Sequence, residues 1–223
     1  MRTRMLHSAA ESVRSLDEDT RRGVLYTAVV ANTLLCLLLV FTLRSDTSPT
    51  THWLFPLVWI TVGTWALLRA SPPAADRRRR YLASTVAVGY FVLLCVVGGV
   101  FGPTGGVATG LTVQITDLPP GWNPAILYGG EVVRFAVIPF TTFGYAVLAY
   151  LVYVTALDAS SIAAGGLLGV FSCVSCTLPV IASLLGGFIG GGLIGVASTQ
   201  TYTIGTFVFV LTVGLLLYRP GGS

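Results

Sequence analysis

Residues 24 to 43, VLYTAVVANTLLCLLLVFTL, contain no charged side chain. About 20 apolar residues in a helix cover the roughly 30 Å hydrocarbon core of a bilayer, where every backbone N–H and C=O must be satisfied within the protein. Such a run is committed to a helix. Further runs of this kind lie at 53–68, 81–101 and 135–157, and no charged residue separates Asp158 from Arg219. The last stretch is longer than two spans and a short loop require, and too short for three. Two spans with a broken or re-entrant segment near 183–200 fit it best. The expected fold class is all-α, a polytopic membrane protein of about six transmembrane helices.

Composition agrees, since 54% of the residues are hydrophobic and 10% are charged, a balance that a soluble domain could not tolerate on its surface. The opening MRTRMLHSAAESVRSLDEDTRR is polar, and no small-residue cleavage site follows the first apolar run, so the first span is expected to be retained. The expected organisation is a polar cytoplasmic segment at 1–22 and one transmembrane domain at 23–219, with an external segment at 102–133. All 13 basic residues are arginine. An inside N-terminus places Arg2, Arg4, Arg14, Arg21, Arg22, Arg69, Arg77 to Arg80 and Arg219 in the cytoplasm, leaving only Arg44 and Arg134 outside. Both termini are then cytoplasmic and the protein is multi-pass in the cell membrane. The ADRRRR run reads as a topology signal, or alternatively as a patch for anionic lipid or a partner; nucleic acid is not an expected partner.

The external segment alternates apolar and polar residues from Leu111 to Ile115, passes a proline-rich turn, and carries Trp122 and Tyr128, which suit the headgroup zone. It reads as an ordered cap over the bundle, or as the place where a membrane or extracytoplasmic partner docks. Glu131 and Arg134, three apart at the head of the fourth span, are expected to clamp one helix face. Gly187, Gly191 and Gly195 recur at every fourth position, a spacing that lets helices approach closely. Pro56 and Pro139 cap or kink the heads of the second and fourth spans.

Several chemistries are excluded. His7 and His52 lie outside the spans, so no pair of intramembrane imidazoles can ligate haem. No acid or base lies mid-span, which disfavours an ion-coupled carrier. GGFIGGGLIG lacks the lysine and the soluble context of a phosphate loop, so no nucleotide cofactor is expected. The cysteines remain. Cys173 and Cys176 fall three apart in FSCVSCTLP, a separation that on a helix suits a disulfide or shared ligation of a soft metal such as Cu(I). Pro179 frees the carbonyl of Ser175 and bends the backbone beside them. At about 1.5 Å per residue, Cys36, Cys95, Cys173 and Cys176 all fall roughly 16–21 Å up their spans, so Cys36 or Cys95 is a candidate additional ligand. Packing is the alternative role for all four, and for Cys36 and Cys95 the favoured one.

GVFSCVSCTLPVIASLLGG, residues 169–187, resembles the first signature of the transmembrane thiol-disulfide carriers of the CcdA and DsbD type, with Cys176 and Pro179 at the matching places. Ala182 stands where that family has a second proline, and no second copy of the motif occurs. The resemblance implies a catalytic role for Cys176, with Cys36 or Cys95 as its partner cysteine. The whole chain, lysine-free and with DLPPGWNPAILYGGEVVRFAVIPF, resembles uncharacterised multipass membrane proteins of halophilic archaea. Together these features lead to the expectation of a thiol-disulfide or Cu(I)-handling factor that matures extracytoplasmic or respiratory proteins through Cys173 and Cys176. The alternative is a non-catalytic membrane subunit, a permease-like or respiratory-complex partner with structural cysteines.

Overall fold

The computed structural model describes residues 18–44, 53–103, 110–115, 120–159 and 194–217. They form five helices and a small sheet: α1 (Glu18–Arg44), α2 (Leu54–Arg69), α3 (Arg77–Val97), β1 (Phe101–Pro103), β2 (Gly110–Gln114), β3 (Ala125–Gly129), β4 (Val133–Val137), α4 (Pro139–Ala159) and α5 (Ile194–Leu217). Helices α1 to α4 each fall on an apolar run expected to be a span, with shifted ends in α3 and α4. Cys173, Cys176, Pro179, Gly187 and Gly191 lie outside the described residues.

Helix α1 is the most exposed. Its half-buried positions, among them Thr20, Thr27, Leu34, Leu38 and Phe41, recur three or four apart, the stripe of a helix packed along one side, and that side meets α2. Its polar side chains are satisfied locally. Thr27, Asn32 and Thr33 each donate to the carbonyl four residues back, at 2.9, 3.0 and 2.9 Å, so an apolar surrounding leaves no donor orphaned. Arg69 Nη1 donates to Thr20 Oγ1 at 2.6 Å, and Phe41 meets Trp53 edge-on at 5.4 Å. The first contact joins the start of α1 to the end of α2, and the second joins the opposite ends, so the two helices are antiparallel.

Helix α2 is central, packing against α1, α4 and α5. Pro56 sits in its first turn, where a missing N–H removes no helical bond. The helix stops at Ala70, whose backbone is extended before Ser71, Pro72 and Pro73. Helix α3 ends at Gly98 and Gly99, the latter at φ +76°, the left-handed cap that glycine adopts without a Cβ clash. Pro139 opens α4 as its first residue, where its fixed φ is pre-set for a helix. Gly98 lies against Tyr145 near the start of α4, so α3 and α4 are antiparallel. Along α1 to α4 the chain therefore runs alternately toward and away from the sheet.

The all-α expectation is corrected by residues 101–137, which contain a four-stranded antiparallel sheet in the order β1-β4-β3-β2. Strand β3 turns back into β4 through Gly130 to Val132, and Gly130 N–H donates to the Val133 carbonyl at 2.9 Å. The run 135–157 was expected to be helix throughout, but Phe135 to Val137 pair with β3 and the helix begins at Pro139. An apolar run cannot distinguish a buried strand from a helix; here alternation of Val133, Phe135 and Val137 and an available partner strand decide it. The third span likewise ends at Val97 rather than at residue 101, because Phe101 pairs with Phe135. Of the expected broken segment near 183–200, residues 194–200 are regular helix within α5, and 183–193 lie outside the described residues.

The core gathers where α2, α4 and α5 meet. Trp59 stacks on Phe209 of α5 with centroids 4.3 Å apart and planes at 4°, and meets Phe140 of α4 edge-on at 5.7 Å. This closeness depends on missing side chains. A Cβ on Gly144 would fall inside the Trp59 ring, and one on Gly63 would lie 2.8 Å from the Phe143 ring. Gly144→Ala is expected to destabilise the fold by about 1–3 kcal/mol through overpacking. Gly89→Ala on α3, where nothing lies within 4 Å, should be neutral or stabilising by up to about 1 kcal/mol. Thermal unfolding of the two purified variants compares them directly.

Candidate functional site

At the sheet end of the bundle, the loop between β2 and β3 turns inward. Gly121, at φ +101°, lets the chain fold tightly over Pro56, and Trp122 is buried against Phe140 with centroids 4.8 Å apart. The first turn of a helix carries N–H groups with no helical acceptor. Here the Gly121 carbonyl accepts a hydrogen bond from Phe140 N–H at 3.2 Å. Thr141 and Thr142 donate their hydroxyls to the Ile138 carbonyl at 2.9 and 3.0 Å. The segment thus caps the heads of α2 and α4, the arrangement of an ordered cap over the bundle. The Asn123–Pro124 peptide within it is cis.

Below the cap the site is apolar. Trp59 Nε1–H donates to Thr206 Oγ1 of α5 at 2.9 Å, so its one polar atom is satisfied inside the ring cluster. Among the described residues the fully buried polar side chains are Thr141 and Thr212, and no buried side chain is charged. Thr61, two residues beyond Trp59 on α2, has a buried hydroxyl with no hydrogen-bond partner. An unsatisfied buried hydroxyl costs about 1–3 kcal/mol, so Thr61→Val, which keeps the shape and removes the donor, should raise thermal stability. Loss of stability in that variant would reveal a bond to this hydroxyl.

The thiols within the described residues are not brought together. Cys36 is exposed on α1, off the stripe that faces α2, whereas Cys95 is buried on α3 with Ala83, Ala87 and Leu94. Both are free cysteines, and among the described residues no group of three or more His, Cys, Asp or Glu is placed to hold a metal. Glu131 and Arg134 do not form the expected helix clamp, and this is a correction. Glu131 sits in the β3–β4 turn and Arg134 in β4, where its side chain lies over Gly102, its cross-strand partner. The i,i+3 geometry that would join them exists only on a helix. Gly195 lies in the first turn of α5.

Sequence reasoning missed the Trp59, Phe140, Phe209 and Trp122 cluster. Its signal was present in Gly144, a glycine inside an apolar helix with no turn to explain it, which marks a close approach.

Three helices, Thr20–Arg44, Arg77–Val97 and Pro139–Asp158, are long and apolar enough to cross a membrane, and Leu54–Arg69 and Gly205–Leu217 are shorter apolar helices. With the small sheet they make a mostly helical protein with three helices of membrane-spanning length. The chain belongs to a family described as "Family of unknown function (DUF7546)", matched over residues 6–223. No curated protein and no solved structure matches it.

The contrast between Cys36 and Cys95 can be checked directly. In the detergent-solubilised native protein at alkaline pH, Cys36 should react with the small, membrane-permeant N-ethylmaleimide faster than Cys95, which is only 1% exposed and should stay unmodified until denaturant is added, as read by peptide mass.

Proposed function

We propose that this chain is a six-span protein of the cell membrane, with both termini cytoplasmic, whose chemistry resides in Cys173 and Cys176 as a two-thiol site. The alternating course of α1 to α4 supports the spanning arrangement. Arg22, Arg69 and Arg77 to Arg80 fall at the end away from the sheet, whereas Arg44 and Arg134 fall at the sheet end. A cytoplasmic side rich in arginine is the ordinary orientation signal.

The observation that carries the functional reading is the Cys-x-x-Cys-x-x-Pro pattern itself. Cys36 is exposed on α1 and Cys95 is buried on α3, and each remains a candidate further ligand in the Cu(I) reading. Two thiols by themselves suit exchange with a disulfide or linear ligation of Cu(I). In exchange, one thiolate attacks the disulfide of an extracytoplasmic or respiratory protein and the second displaces it. The partner gains two electrons and two protons, and the pair is left as a disulfide. In the Cu(I) reading the metal is cargo handed to such a protein.

A second reading, a non-catalytic membrane subunit, is favoured by the closed aromatic core of α2, α4 and α5, which buries no charged side chain among the described residues. There the thiols are packing residues and a partner protein carries the activity. Alkylation with a mass-shifting reagent on membranes separates the two. A pair that reacts only after reduction or after Cu(I) chelation is expected for the two-thiol site. Thiols that are free yet unreactive until denaturation, together with a stoichiometric partner that co-purifies in mild detergent, would establish the subunit reading.

A further inference from the structure

The two faces of the sheet differ in chemistry. Side chains alternate across a strand, and directly paired residues share a face. The register aligns Phe101 with Phe135, Phe135 with Tyr128, and Tyr128 with Leu111; in the next row Ile126 pairs with Val113. These six side chains form one continuous apolar face. The Tyr128 and Phe135 rings stack at 5.2 Å, and Phe101 lies 6.2 Å from Phe135. The opposite face carries the exposed Thr112, Gln114 and Arg134 together with the half-buried Leu127 and Ala136. The described helices do not cover the apolar face: Leu111 is 66% exposed and Val113 56%.

Contiguous apolar surface left in water costs about 25 cal/mol per Å², and patches of this kind mark interaction sites. Location identifies the partner. Helix α3 ends at Val97 and β1 begins at Phe101; β4 ends at Val137 and α4 begins at Pro139. At no more than about 3.6 Å per residue, the sheet starts within roughly 15 Å of the ends of two membrane-length helices. Ala136 N–H donates to the Val100 carbonyl at 2.8 Å, which holds β4 against the segment leaving α3. The exposed valines Val88, Val92 and Val96 climb α3 four residues apart, and Phe101, five residues beyond Val96, is exposed as well. Aromatic rings beside aliphatic chains at this level are the composition of a membrane interface.

We propose that this sheet is an interfacial membrane anchor. Its aromatic and aliphatic face rests in the headgroup and upper acyl region of the bilayer, beside the bundle, while Thr112, Gln114 and Arg134 face water. The proposal rests on the reading that α1, α3 and α4 cross the bilayer.

The wild-type protein in phosphatidylcholine vesicles provides the test. One sample contains a phospholipid with a carbene-generating diazirine near the acyl carbonyl, another a water-soluble diazirine, and tandem mass spectrometry locates the adducts. The expected result is a several-fold excess of lipid adduct on Leu111, Val113 and Tyr128, with Thr112 and Gln114 taking the water-borne reagent. Water-borne adducts on Leu111 and Val113 would overturn the proposal. So would protection of that face from both reagents, which would mean that protein covers it. Val88 and Val92 distinguish the two levels. If they take lipid adducts and the sheet does not, the anchor alone fails; if they take none, the spanning reading fails with it.

Discussion

Trp59 is the joint on which the described bundle depends. Its ring lies flat on Phe209, its edge meets Phe140, and its indole N–H is bonded to Thr206. One side chain of α2 thereby holds α4 and α5 at once. The reach extends further, because Phe140 also packs on Trp122 and donates its backbone N–H to the Gly121 carbonyl. Where helices are surrounded by apolar material, burying more apolar surface gains little, and close packing with a few internal hydrogen bonds has to supply the cohesion. Gly63 and Gly144 provide the closeness, and the Trp59–Thr206 bond provides the polar tie.

The sheet follows from the same requirement applied at the end of the bundle. A loop linking α3 to α4 must leave no backbone group unsatisfied near apolar surroundings. Four short strands pair most of their backbone groups with one another, and the β2–β3 loop spends its Gly121 carbonyl on the head of α4. The cap is therefore part of the fold. Leu111 to Ile115 did show their alternation in the sequence, but Val133 to Val137 sat at the edge of an apolar run long enough to be helix. Only the presence of β3 as a partner made them a strand.

The thiols illustrate a different limit. Counting residues along helices places Cys36 and Cys95 at similar heights, which encouraged the idea of a shared layer. Height is one coordinate of three. Rotation about the helix axis sends Cys36 outward and Cys95 inward, and in helices apolar on every side the sequence carries no signal of that rotation. Cys173 and Cys176 are the pair whose spacing in the sequence favours joint chemistry. Their meaning rests on the motif, whereas the geometry of the described bundle contributes a scaffold free of buried charge.

The helical character, the placement of four of the five described helices and the gathering of Arg22, Arg69 and Arg77 to Arg80 at the end away from the sheet were legible in the sequence, because hydropathy and charge act locally and do not depend on what packs where. The head of α4, the sheet, the fate of Glu131 and Arg134 and the role of Trp59 were not. Each depends on a partner remote in the chain: Phe135 on Phe101 and Tyr128, Phe140 on Gly121, Trp59 on Gly144 and Phe209. An apolar residue states that it will be buried or surrounded by lipid, and only the tertiary arrangement determines which neighbour it meets.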